Sequence, residues 1–211
     1  MPEVIGRPIG IAQLARRLAG GPPSATPLLV VRLPALEQTA WREGLRKARS
    51  LERRAAAAFA AAAARVLRAE DIIAHDRGSD IFMAALTAPT RATGAATALA
   101  IDARSALARI SASLESATRL AVDTGWTTYA RDEDLADAIR RGLARGAQER
   151  ERYAFFSAVG HELRTPLASI CGYLETLLDG DIDAATRARF LRIAHKESQR
   201  LSRLVDGMFE I

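Results

Sequence analysis

From residue 132 to Ile211 the chain places apolar side chains every three or four positions and contains a single proline, Pro166. That spacing predicts helix, because it draws one apolar stripe along a 3.6-residue turn. Asp132 or Asp134 is suited to cap the first turn. Gly142 and Gly146 each weaken the run by up to about 1 kcal/mol without ending it. Asp179–Gly180–Asp181–Ile182–Asp183 reads as a loop, with Gly180 suited to a left-handed C-terminal cap, and a second helix starts at Ala184. The first helix carries a seam of Phe156, Val159, Leu163, Leu167, Ile170, Leu174 and Leu177. The second carries Leu191, Ala194, Ser198, Leu201, Val205 and Met208, widened by Ile193 and Leu204. A hairpin of two such helices has more apolar surface than it can bury alone. Pairing two hairpins into a four-helix bundle is the simplest remedy, so a twofold homodimer is expected.

Residues 1 to about 131 read differently. Ile11 to Leu18 is a short helix closed by Gly20–Gly21–Pro22–Pro23. Leu28 to Leu33 is a compact apolar run stopped by Pro34, the profile of a buried strand. Trp41 to Leu67 is alanine-rich helix. Asp71 to Ala74 and Ile81 to Leu86 are strand-like and joined by the turn-forming Asp76–Arg77–Gly78–Ser79–Asp80, which predicts a hairpin. Ala95 to Leu114 is helical, and Leu120–Ala121–Val122 with Gly125–Trp126–Thr127 is a further strand. Strands alternating with helices predict a layered domain around a central mixed sheet.

Composition narrows the function. The net charge is +5, from 30 basic residues, nearly all arginine, against 25 acidic ones. The arginines are interleaved with Asp and Glu along helices, which describes solvated faces rather than a nucleic-acid surface. A lone cysteine, Cys171, permits no intramolecular disulfide and fits a reducing compartment; packed near the seam, it is expected to be a small core residue. No signal-peptide pattern is present, and the most apolar run, Ala55 to Ala64, is far short of the roughly 20 residues a bilayer span needs. A cytoplasmic location is expected.

Chemistry concentrates in Phe156–Ser157–Ala158–Val159–Gly160–His161–Glu162–Leu163–Arg164–Thr165–Pro166–Leu167. A histidine beside an apolar seam can present a neutral imidazole nitrogen as a nucleophile near pH 7, since its ordinary pKa is about 6.5. Thr165 follows one helical turn later on the same face. Pro166 removes a backbone donor and crowds the carbonyl of Glu162, so the helix should loosen just past the histidine. His75 and His195 lack such neighbours and read as structural residues. The segment resembles the H-box of the histidine-kinase dimerisation and phosphoacceptor domain, and the resemblance continues to Leu204–Val205–Asp206; the usual serine before the histidine is Gly160 here. It implies that His161 accepts the γ-phosphoryl group of ATP and passes it to an aspartate of a response-regulator receiver domain. It also implies that Glu162 holds the other ring nitrogen and acts as base, and that Thr165 orients the water that later removes phosphate from the regulator. Pro166 would let the helix bend between kinase and phosphatase geometries. Neither the nucleotide-binding boxes of that family nor a Walker loop is seen. ATP and Mg²⁺ are therefore expected on a separate ATP-binding catalytic domain, and this chain alone is expected to be inactive, with no cofactor or metal of its own.

The earlier element order resembles a GGDEF-type domain, with Gly78–Ser79–Asp80–Ile81–Phe82 at the signature hairpin, Val122–Asp123–Thr124–Gly125 at the later strand and Leu135 to Ile139 at the closing helix. Cyclase chemistry needs carboxylates to hold Mg²⁺. Ile81 stands where the signature Glu belongs, and the strand acid is absent near Arg32 and Pro34. The resemblance therefore implies a degenerate sensory module and no diguanylate cyclase activity. Arg68 and Asp71 have the spacing of the family's inhibitory site, which implies possible contacts to cyclic di-GMP or another small ligand.

The expected fold is α+β: a degenerate GGDEF-like α/β domain over residues 1–131, a connecting signalling helix over 132–152, and the phosphoacceptor hairpin over 153–211. The leading expectation is the sensor and phosphoacceptor portion of a two-component kinase. The alternative is a non-catalytic dimeric interaction module in which the N-terminal domain binds cyclic di-GMP or GTP and His161 goes unused.

Overall fold

The computed structural model describes residues 8–20, 25–87, 96–180 and 182–209. They form two units, Met1–Glu149 and Arg150–Ile211. In the N-terminal unit the elements are α1 (Ile11–Ala19), β1 (Thr26–Arg32), α2 (Ala35–Glu43), α3 (Leu45–Val66), β2 (Ile72–His75), β3 (Ile81–Ala85), α4 (Ala96–Thr118) and β4 (Asp123–Tyr129). Then α5 (Leu135–Asp179) crosses the boundary, and α6 (Ala184–Phe209) ends the chain.

The sheet has the order β2-β3-β1-β4. Every neighbouring pair is antiparallel, with Val30 opposite Met83 on one side and Gly125 on the other. The expected mixed sheet is thus corrected. The α2–α3 crossover returns β2 in the direction of β1, but β3 inserts between them, so no two parallel strands become neighbours. This is a split β-α-β arrangement of the ferredoxin-like kind. The one parallel pairing is an isolated bridge between Ile9 and Ala74.

Alternation along the strands sends side chains to two faces, and both are covered. Leu29, Val31, Phe82, Ala84 and Trp126 meet Phe59 of α3 and Ile110 and Leu114 of α4. Leu28, Val30, Met83, Ala85 and Tyr129 meet Leu14 and Leu18 of α1 and Leu135, Ala138 and Ile139 of α5. Burial on both faces explains why β1 reads as an unbroken apolar run.

Several boundaries depart from the sequence reading. The alanine-rich helix begins at Ala35 rather than Trp41 and breaks at Gly44, whose φ of +87° lies in the left-handed region that favours glycine. Leu120 to Val122 precede the last strand rather than form it, and Val122 is used as core. Residues 135–146, at the start of the helix expected to connect the domains and including the Leu135 to Ile139 stretch likened to a closing helix, pack on the second face of the sheet. A Cβ on Gly125 would run into the carbonyl oxygen of Gly142, and one on Gly146 into that of Thr124. Those two glycines therefore let α5 seat directly on β4. Asp134 caps α5 as expected, its Oδ1 accepting the Ala136 N–H at 2.8 Å. Gly180 does not have a positive φ; a side chain there would press on the Thr176 carbonyl at 2.9 Å, so close approach is its reason for being glycine.

Candidate functional site

In the C-terminal unit the second half of α5 and α6 form the expected hairpin. Tyr173 and Phe190 meet across it with ring centroids 5.0 Å apart. The turn is fastened by Asp183 at the start of α6: its carboxylate accepts the backbone N–H groups of Ala185 and Thr186, each at 2.9 Å, and the Thr186 hydroxyl at 2.6 Å. These bonds, the Thr186 hydroxyl first, hold the Asp183 carboxyl below its ordinary range.

His161 stands exposed on α5. Nothing lies within 4 Å of where a Cβ on the preceding Gly160 would sit, so that position too faces open space. Thr165 is also exposed and lies one turn on; its hydroxyl donates to the His161 carbonyl at 3.5 Å, which places both residues on one face. Glu162 is exposed but does not join them. Successive residues on a helix point about 100° apart, and no hydrogen bond links its carboxylate to the His161 ring. Pro166 is fully buried while α5 continues through it. The proline that deprives the Glu162 carbonyl of a donor is thus enclosed within the unit rather than exposed on its surface.

The other singled-out residues fall elsewhere. His195 is exposed, with Nε2 3.0 Å from Nε2 of Gln199. His75 is a core residue of the N-terminal unit, stacked on Phe82 at 4.2 Å, with Nδ1 3.0 Å from the Ile81 carbonyl and Nε2 3.3 Å from Glu52. Cys171, expected in the core, is exposed; the residues enclosed in the hairpin are Pro166 and Ala194, and its helices meet through Tyr173 and Phe190, which lie off the seam. Arg68 and Asp71 close a turn on one another. Asp71 is 3% exposed; its carboxylate accepts the Arg68 N–H at 2.9 Å, while the Asp71 N–H donates to the Arg68 carbonyl at 3.0 Å. In this arrangement the Asp71 carboxylate is held by a backbone donor of the same turn.

The sequence reading missed a cavity of about 1010 Å³ between α2, α3 and the β2–β3 loop. Its lining includes Arg32, Trp41, Arg49, Arg53, Arg77 and Asp80. Arg32 Nε donates to Asp80 Oδ2 at 2.6 Å, and this bond, with the nearby carboxylates, pushes the Arg32 pKa up from its ordinary value. Arg49 and Arg53, one turn apart on α3, were the legible sign of this cavity.

An exposed histidine and a threonine one turn later, on a capped two-helix hairpin with an enclosed proline, make a module that offers an imidazole to an incoming group. Residues 151–211 match the family model of the His Kinase A (phospho-acceptor) domain. An uncharacterized sensor-like histidine kinase, ycf26, of Pyropia yezoensis is 38% identical over 88 residues, 37% of this chain and 14% of that protein. The sensor protein kinase WalK of Staphylococcus aureus is 41% identical over 64 residues, 30% of this chain and 15% of that protein. The match thus spans about a seventh of the length of these curated relatives. The C-terminal unit is thus similar to a histidine-kinase phosphoacceptor domain, and these likenesses support a two-component role. No helix among the described residues is long and apolar enough to cross a membrane.

Proposed function

We propose that this chain is the sensor and phosphoacceptor portion of a cytoplasmic two-component histidine kinase, with His161 as the phosphorylated residue. The observation that carries this reading is the open exposure of His161 on the face it shares with Thr165. An imidazole nitrogen attacks the γ-phosphorus of ATP; the N–P bond forms, the bond to the bridging oxygen breaks, and ADP leaves. The ring loses the proton on its other nitrogen to a base. Glu162 is the candidate, and it must turn toward the ring when nucleotide arrives, because it does not bond it here. ATP and Mg²⁺ come with a separate nucleotide-binding domain. The phosphoryl group then passes to a receiver-domain aspartate, and Thr165 orients water for its later removal. Exposed Phe156, Leu167, Leu174 and Leu191 support a dimeric four-helix bundle as the working form.

The test supplies the chain with a histidine-kinase ATP-binding domain and labelled ATP. Wild type and His195→Gln should gain acid-labile phosphate, and His161→Gln none. Equal labelling of His161→Gln would sink the assignment.

For the N-terminal unit we infer a retired GGDEF-like domain serving as the sensory part. The split β-α-β order, with Gly78, Ser79 and Asp80 on the β2–β3 hairpin, favours it. With Ile81 and Arg32 where metal-binding acids belong, GTP and Mg²⁺ should give no cyclic product.

A further inference from the structure

The corner between α2 and α3 takes no part in the chemistry of His161, and every residue on it from Trp41 to Lys47 is exposed. Gly44, with φ of +87°, makes the break between the two helices, and a Cβ there would meet nothing within 4 Å. On either side of it stand two large apolar residues, Trp41 at 86% exposure and Leu45 at 67%, while Leu36 and Ala48 of the same helices are buried. Around this apolar tip the charge is positive. Glu43 and Lys47 pair with one another at 2.8 Å and cancel. Glu37 lies 3.9 Å from Arg32, and Glu52 accepts the Gly78 N–H at 2.9 Å. Arg42, Arg46, Arg49 and Arg53 are all exposed, and among the described residues none of the four side chains is hydrogen-bonded or ion-paired.

We propose that this corner docks on the surface of a lipid bilayer with acidic headgroups, Trp41 and Leu45 entering the headgroup boundary and the arginines facing the lipid phosphates. An indole is apolar over its faces and polar at its N–H, which suits it to the boundary between headgroups and acyl chains. Leu45, Arg49 and Arg53 follow one another at intervals of one turn along one face of α3. Helical rise puts the two arginines about 6 and 12 Å behind Leu45. With the tip at the acyl boundary, guanidinium groups at those depths lie among the phosphates, whose oxygens match their fork of donors. An acidic protein would satisfy the arginines, but an apolar tip ahead of a basic flank is the layering of a bilayer. This assignment stands apart from the phosphoacceptor reading and does not rest on it.

Sedimentation of the whole chain with phosphatidylcholine vesicles, with and without phosphatidylglycerol, tests it. Binding to the mixed vesicles is expected, and it should weaken as salt is raised, because attraction to the guanidinium groups is screened. Trp126 is 6% exposed in the core, so a blue shift of the emission on binding, with quenching by brominated acyl chains, reports Trp41. Replacing Trp41 and Leu45 together by alanine should weaken binding on the order of tenfold or more. Arg42→Ala combined with Arg46→Ala should weaken it on the order of tenfold and flatten its salt dependence. Ile101→Ala, which removes an apolar side chain 62% exposed on α4, should leave it unchanged. All these side chains are exposed, so melting curves should coincide. Absence of binding to the mixed vesicles, binding with unshifted emission, undiminished binding by the Trp41 and Leu45 double variant, or an equal loss in Ile101→Ala would overturn the proposal. Polyglutamate that binds the chain as tightly as the vesicles do would also overturn it, assigning the corner to an acidic protein.

Discussion

In the N-terminal unit large apolar side chains lie between sheet and helix: Phe59, Phe82, Leu14, Met83 and Ile110 are all fully buried. In the C-terminal hairpin Pro166 and Ala194 are the enclosed residues, while Phe155, Phe156, Leu167, Leu174, Leu178 and Leu191 remain exposed. The two units solve the same problem differently. A sheet covered on both faces buries its apolar residues within one chain. A two-helix hairpin has only one shared face, and the rest of its stripe is left over. That uncovered surface is what a bundle of two hairpins would remove, while His161 stands exposed on α5.

The largest expected effect separates the units by where they keep their stability. Phe82→Ala should cost the N-terminal unit about 3–5 kcal/mol, through lost burial plus a cavity, at any protein concentration. Leu174→Ala removes a side chain that is 42% exposed in the single chain. If two hairpins close over it, the loss should approach the roughly 2–5 kcal/mol of a core leucine at high protein concentration and shrink as the protein is diluted and the hairpins part. Urea unfolding at two concentrations reads both. A Leu174→Ala cost below about 1 kcal/mol, independent of concentration, would mean that the hairpin stands alone.

A smaller effect tests packing with one substitution made in both units. Alanine at Gly125 would drive a methyl group into the Gly142 carbonyl of the seated helix, and alanine at Gly146 into the Thr124 carbonyl of β4. Since backbone cannot rotate away, each should destabilise by about 1–3 kcal/mol or more. Alanine at Gly160 or Gly172 meets nothing within 4 Å. It should instead stabilise the helix by up to about 1 kcal/mol. Thermal melts of the four variants check the reversal of sign; a uniform sign would remove the claimed difference between the seated and the free parts of α5.

What could be read beforehand follows the range of the forces involved. The hairpin, the cap at Asp134, the buried β1 and the exposed His161 rest on spacing within a few residues, and local spacing is written in the chain. The break at Gly44 was hidden because one glycine costs a helix only about 1 kcal/mol, so tertiary packing decided it. Past Ile139 the helix read only as a connector because amphipathic helix has the same period whether it bridges units or covers a sheet. Tyr173 and Phe190 stand outside the heptad stripe, so periodicity passed over their contact. The cavity needs α2, α3 and the β2–β3 loop to meet, and no short window of sequence contains all three.

The smallest effect concerns pH and the turn of the hairpin against that of the domain. Asp183 is held below the ordinary carboxylate range by the Thr186 hydroxyl first and then by backbone N–H groups, and Glu133 of the N-terminal unit chiefly by Arg141. For a carboxylate lowered in the folded state, the stabilisation is fully present above its unfolded pKa, about 3.9 for Asp and 4.3 for Glu. It is lost as pH falls through the lower folded value. Both units should therefore lose these contributions on acidification below about pH 4, and neither should change between pH 6 and 8 on this account. Asp183→Asn should lower the melting temperature of the hairpin at neutral pH, and the gap to wild type should narrow as the carboxylate protonates. Glu133→Gln should do the same for the N-terminal unit alone. Melting curves followed separately for the two units from pH 7 to pH 2.5 decide it, and a gap that widened in acid would contradict the assigned direction of both shifts.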